Sequence, residues 1–154
     1  MAALFFDSSG LIKRYIVETG TAWVTGLLHS AAANDIFVAN ITGIEVASAI
    51  ARRVRSGSIS QTTARKALSR FKRDFDKRFI VLDLTTKIIE QGILLAETHG
   101  LRDYDTTQLM VGLSVRNQLA QSGIQTFTFI SADNDLNQAA QAEGLTVENP
   151  NNHS

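Results

Sequence analysis

Apolar residues in this chain recur with two different spacings. Short apolar runs, Ala3–Phe6, Ile36–Ala39, Phe79–Leu82 and Thr126–Ile130, read as strands, and the first stops at Asp7. Between them lie longer stretches with apolar residues at helical spacing. After Asp7 the segment LIKRYIVE reads as helical. From Thr42 to Arg55 the apolar positions are Ile44, Ala47, Ile50, Ala51 and Val54, one stripe of a helix. Ser56-Gly57-Ser58 breaks that helix, and Ser60–Phe75 forms a second, more basic one. Further helices are predicted over Thr86–His99, which Gly100 can terminate, over Asp105–Leu119 and over Asp135–Glu143. Leu145–Val147 adds an edge strand. Strands alternating with long helical crossovers predict an α/β fold, a mostly parallel central sheet of four to five strands flanked by helices.

Composition narrows this picture. The 154 residues make one domain, residues 1–150, and are too few for two ordinary ones. A hydrophobic share of 44% is that of a soluble globular protein. With no cysteine, a disulfide scaffold and a thiolate metal site are excluded, and a reducing cytosol suits the chain. MAALFFDSSG has no basic n-region and its apolar run is cut short by Asp7, so no signal peptide is expected. No apolar stretch is long enough to span a membrane. The expected location is cytoplasmic, and the polar end, residues 151–154, is expected to be disordered.

A net charge of zero conceals a segregation. Ten basic residues lie between Arg52 and Arg78 against Asp74 and Asp76 only, a local charge of +8 (10 − 2). The remainder carries five basic and thirteen acidic residues, or −8 (5 − 13). Such an arm reads as a solvated pair of helices or as a holder for the phosphates of a polyanion.

Four acids stand just past apolar runs or at helix openings: Asp7, Glu45, Asp105 and Asp133. The carboxyl ends of parallel strands share one edge of a sheet, so acids distant in sequence can converge there. Each acid also has a structural reading. Glu45 stands three residues after Thr42, as in a capping box, and Asp7, Asp105 and Asp133 can cap helices or complement their dipoles. Ser8, Ser9, Thr42 and Ser131 are already available as caps at these junctions, however. Several carboxylates on one edge repel one another unless a cation binds. With neither cysteine nor paired histidines, that cation would be a hard one, Mg²⁺ or Mn²⁺. Such an ion activates water as a nucleophile and neutralises a phosphodiester's charge.

The stretches LFFDSSGLIKRYIVETG, ITGIEVASAIARRVRSGSIS, HGLRDYDTTQL and FISADNDLNQAAQAEGLTVENP occur in the order and spacing of the PIN domain. The chain resembles the VapC-like ribonuclease toxins of type II toxin–antitoxin pairs from about Leu4 to Pro150. The resemblance implies a metal-dependent endoribonuclease acting on RNA, with catalytic acids Asp7, Glu45, Asp105 and Asp133. Asp7, Asp105 and Asp133 would hold Mg²⁺ or Mn²⁺, with Glu45 acting directly or through water. Asp135 stands as an alternative to Asp133. A homodimer and a small antitoxin are implied as partners. Gly10 replaces the family's usual Ala, and Thr106, where the family often has Ala, would place an extra hydroxyl near the metal.

Ser8, Lys13, Arg14, Arg52 and Thr106 are the candidate substrate contacts; for Lys13, Arg14 and Arg52 a purely structural role competes evenly. Trp23, Tyr15 and Tyr104 read as packing residues rather than base-stacking platforms, and His99 as a residue at a helix end. Other readings compete at the level of function. A housekeeping PIN nuclease and a non-catalytic RNA- or protein-binding module share the same fold. Receiver domains want an acidic pair after the first strand, and aspartyl-nucleophile phosphatases want D-x-D; Asp7-Ser8-Ser9 supplies neither.

Overall fold

A computed structural model describes residues 2–154. Five strands form one sheet: β1 (Ala3–Phe6), β2 (Asp35–Ala39), β3 (Ile80–Leu82), β4 (Phe127–Ile130) and β5 (Val147–Glu148). Their order is β3-β2-β1-β4-β5 and every pairing is parallel. Seven α-helices among the described residues cover the sheet. They are α1 (Ser8–Leu11), α2 (Thr21–Leu28), α3 (Thr42–Arg55), α4 (Gln61–Lys77), α5 (Thr86–His99), α6 (Asp103–Gln121) and α7 (Asn134–Ala142). The expected α/β architecture is the observed one.

Strand alternation divides the core. Leu4 and Phe6 of β1 point into a layer with Val24, Leu28, Val46, Ile50 and Phe71, from α2, α3 and α4. Ala3 and Phe5 point the other way, to Leu109, Val111, Leu136 and Ala140 of α6 and α7. Both layers are packed with apolar side chains: Phe5, Phe6 and Phe129 are fully buried, with Phe5 and Phe129 stacked at 5.2 Å. α6 reaches the sheet through Gly112, where an added Cβ would come within 2.7 Å of the Phe129 ring.

Three expectations change. α2 lies in TAWVTGLL, where no helix is predicted; Gly20 opens it with φ +89°, a conformation that suits glycine. LIKRYIVE is not one helix. α1 ends at Leu11 and a 3₁₀ turn, Ile12–Arg14, follows. The polar end is ordered. Pro150–Asn152 form a 3₁₀ turn, and Pro150 lies so close to Gly20 that a Cβ there would sit 2.3 Å from the Pro150 carbonyl oxygen. Beyond it, His153 stacks flat on Trp23 at 4.0 Å and bonds Glu148 at 3.0 Å. Apolar cover and two aromatic faces hold a segment that polarity alone reads as loose.

Candidate active site

In the strand order, β1 sends its chain to β2 on one side and pairs with β4 on the other. The carboxyl edge between β1 and β4 is therefore a topological switch point, where clefts open in α/β sheets. Asp7 lies there, at the end of β1, with its backbone N–H bonded to the Ile130 carbonyl at 3.1 Å. Its carboxylate is 2% exposed and accepts from Gly10 N–H (2.9 Å), Ser9 Oγ (2.8 Å) and Ser131 Oγ (2.8 Å). Burial still dominates. It lifts the Asp7 pKa from 3.8 to about 7, against the three donors and with help from the Glu45 charge.

The serines tie two turns together. Ser9 Oγ donates to Asp7 and accepts from Ala132 N–H at 2.9 Å, and Ser131 Oγ accepts from Asp133 N–H at 3.1 Å. Gly10 belongs to the same junction, since an added Cβ would lie 3.0 Å from the Ile130 carbonyl oxygen. The turn after β1 and the turn after β4 thus form one hydrogen-bonded unit.

Glu45 sits in the first turn of α3, but the expected capping box is absent. The residue before the helix is Ile41, which offers no side-chain cap, and Thr42 Oγ accepts instead from Gln108 Nε2 at 2.9 Å. Glu45 turns toward Asp7's side of the cleft. It accepts from Ser8 Oγ at 3.0 Å and from Gln108 Nε2 at 2.6 Å. Its pKa is raised, first by burial and also by the Asp105 and Asp103 charges, while Gln108 and Ser8 pull it down.

Asp105 is the third residue of α6, whose first turn also holds Asp103. Burial raises its pKa, then the Asp133 charge, with smaller contributions from Asp103 and Asp135; Arg102 opposes them. Asp133 caps α7 by accepting Leu136 N–H at 2.9 Å, so for this acid and for Asp7 capping and convergence hold together. Asp135 is exposed and lines a cleft with Asp105, Arg102 and His99. Asp133 presses on Asp105 more strongly than Asp135 does.

The acids therefore form an electrostatic chain, Asp7 to Glu45 to Asp105 to Asp133 and Asp135. Among the described residues no three acids stand close enough to make a ready-built cation cage. Mg²⁺ does not require one, since it keeps several waters and takes one or two protein carboxylates. Oxygen-only donors, raised proton affinity at three carboxylates and their mutual repulsion all fit a hard divalent ion. Asp7, Glu45, Asp105 and either Asp133 or Asp135 are the carboxylates that would serve such an ion, one or two of them directly and the others through its waters.

The other candidate contacts divide. Arg52 is exposed and lines a cleft of about 490 Å³ with Ser8, Glu45, Ile44 and Tyr104. Tyr104, half exposed at this mouth, is not a packing residue. Lys13 is not a free phosphate ligand. Its buried ammonium bonds Glu18 (2.9 Å), the Thr19 carbonyl (2.8 Å) and Asn151 (2.8 Å), which occupies all three protons. Arg14 is withdrawn from the site, paired with the buried Asp74 at 3.0 Å beside the Tyr15 hydroxyl. Thr106 Oγ is also turned away, donating to the Arg102 carbonyl at 3.0 Å in an ordinary helical back-bond. Gln108 is the functional neighbour that sequence reasoning missed. It sits on an apolar helix, is 1% exposed, and leaves its own Oε1 buried without a partner.

This topology is that of the PIN-like fold. Several solved structures share it. PAE2754 from Pyrobaculum aerophilum superposes with a TM-score of 0.63 at 17% identity, over 95% of this chain and 89% of its own. VapC20 from Mycobacterium tuberculosis, described as a sarcin–ricin-loop-cleaving toxin, gives 0.60 at 18%, over 93% and 96%. VapBC2 from Rickettsia felis, solved with a fragment of promoter DNA, gives 0.58 at 15%, over 96% and 98%. No protein-family profile matches the sequence, nor does any curated protein.

Proposed function

We propose that the protein is a metal-dependent endoribonuclease, and that it serves as the toxin of a toxin–antitoxin pair. The observation that carries the reading is the convergence of desolvated, mutually repelling carboxylates at the β1–β4 switch point of a PIN-like fold. A structural cap has no need of that company. A bound Mg²⁺ or Mn²⁺ supplies charge neutralisation at the phosphodiester and activation of water as nucleophile. Asp7, locked by Gly10, Ser9 and Ser131, provides a fixed anchor on the sheet edge. Glu45, steered by Ser8 and Gln108, faces the same cleft and is placed to orient or accept a proton from water. Arg52 at the cleft wall holds a phosphate of the incoming strand, and Tyr104 offers an aromatic face to a base.

The toxin assignment is supported by the shared fold with VapC20 and VapBC2. A small antitoxin, a cytoplasmic location and a homodimer go with it. What supports the homodimer is a row of exposed apolar residues on α5, Ile89, Ile93 and Leu94, of which Leu94 is 65% exposed. No helix among the described residues is long and apolar enough to cross a membrane.

The test is cleavage of total RNA by purified protein with end mapping. Mn²⁺ or Mg²⁺ should support cleavage, EDTA should abolish it, and Asp7→Asn should lower the rate by about 100-fold or more. Equal rates for wild type and Asp7→Asn under matched metal would overturn the site. Expression alone should arrest growth, with relief by the neighbouring small open reading frame. Harmless expression of an RNA-cleaving protein would favour a housekeeping nuclease.

A further inference from the structure

The ten basic residues between Arg52 and Arg78 separate into two groups. One group is engaged within the protein. Arg53 pairs with Glu18 at 2.6 Å, Arg78 bonds the Leu28 carbonyl, and Arg70 lies 5.9 Å from the Tyr15 ring. Arg52 lines the cleft, and Arg55 lies exposed at the end of α3.

The other group is Arg65, Lys66, Lys72, Arg73 and Lys77 of α4. All five are exposed, and among the described residues none is in an ion pair. At about 100° per residue they fall on one face of the helix, opposite the buried Ala64, Ala67, Phe71 and Asp74. Asp76 is the sole acid on that face. The twelve steps from Arg65 to Lys77 run about 18 Å, long enough to lie against several successive phosphates of one strand. A protein of zero net charge has thus gathered five cations against a single acid on one helix face.

We propose that this outer face of α4 is a second RNA-binding surface, distinct from the cleavage site, which holds backbone phosphates of a structured RNA while another part of the same molecule enters the cleft. It rests on the nuclease reading above. α3 joins the two regions. Gly43 in its first turn abuts Phe75 of α4, Arg52 looks into the cleft, and Arg55 extends the positive band toward the start of α4. Phosphate contacts of this kind carry no sequence information. They add affinity, speed encounter and favour long or folded RNA over short fragments.

The experiment compares wild type with a variant carrying Arg65→Gln, Lys66→Gln, Lys72→Gln, Arg73→Gln and Lys77→Gln. Glutamine keeps helix propensity at these exposed positions. Binding of a labelled RNA hairpin with single-stranded flanks is measured in EDTA across a salt series, and cleavage of a tetranucleotide is measured with Mn²⁺. The variant should bind the hairpin about tenfold more weakly or worse, and its slope of log affinity against log salt should fall by about 3.5, at ~0.7 for each of five lost phosphate contacts. Tetranucleotide cleavage should be unchanged. If the fivefold variant does not fold, the pairs Arg65→Gln/Lys66→Gln and Lys72→Gln/Arg73→Gln should each give about two-fifths of that slope change. An unchanged slope would overturn the surface while leaving the nuclease intact. Duplex DNA displacing the hairpin from this face at lower concentration than RNA would reassign it to DNA. A wild type that neither binds nor cleaves RNA would remove the nuclease reading itself.

Discussion

At the scale of single residues, Asp7 is held in a state that an isolated protein resists. Three donors grip its carboxylate, yet burial leaves its pKa near 7 rather than 3.8. A carboxyl that binds its proton more tightly when folded favours the native state in acid. The penalty is absent below about pH 3.8, grows as pH rises, and is complete above about pH 7. At ~1.4 kcal/mol per tenfold change in proton affinity it reaches about 4 kcal/mol, an order-of-magnitude figure. In EDTA, Asp7→Asn should therefore be more stable than wild type at pH 8, with the gap closing toward pH 5. Urea denaturation at the two pH values checks this, and parallel curves would contradict it. Mn²⁺ should stabilise the wild type and not the variant. The acids were legible in the sequence because carboxylates after apolar runs are conspicuous. Lys13 and Arg14 misled because a cation two turns from an acid shows no sign of Asn151 or Asp74, partners 138 and 60 residues away.

At the scale of elements, α3 was legible to its last residue because its apolar stripe repeats over four turns. α2 was not, since TAWVTGLL is apolar on several sides and its start depends on Gly20 meeting Pro150. The T-x-x-E pattern at α3 suggested a local cap, but tertiary contacts claimed both residues. Gln108 of α6 bridges Thr42 and Glu45 of α3, fastening one layer to the other beside the cleft. Gln108→Leu should change stability by no more than about 1 kcal/mol, because it also removes an unpartnered buried carbonyl. Cleavage should nevertheless fall about tenfold, since a freed Glu45 samples other rotamers. Thermal melting paired with turnover separates the two effects. A large loss of melting temperature with unchanged turnover per folded molecule would show that Gln108 serves only the core.

For the whole molecule, the polar end acts as a clasp. Asn151 completes the bonding of Lys13, Pro150 covers Gly20, and His153 stacks on Trp23, the chain's one tryptophan. Removing residues 150–154 should lower the unfolding free energy by about 1–3 kcal/mol, as Lys13 loses a partner while buried. Trp23 emission should shift to the red, and an unshifted spectrum would mean that the end does not rest on that ring. The parallel sheet and single domain were readable from the alternation of strand and helix. The clasp was not, because stacking between residues 130 positions apart leaves no local pattern in the sequence.

The pairing of β1 with β4 also bears on when the proposed site is assembled. Asp7 leaves the ribosome 124 residues ahead of Ser131, which bonds it. A ribosome displaying Asp7, Glu45 and Asp105 presents acids with no second wall to the cleft, and non-local strand pairing of this kind forms late in folding. The cleft that β1 opens is thus walled only once β4 has followed, so a chain that has not reached β4 carries Asp7, Glu45 and Asp105 without an assembled site.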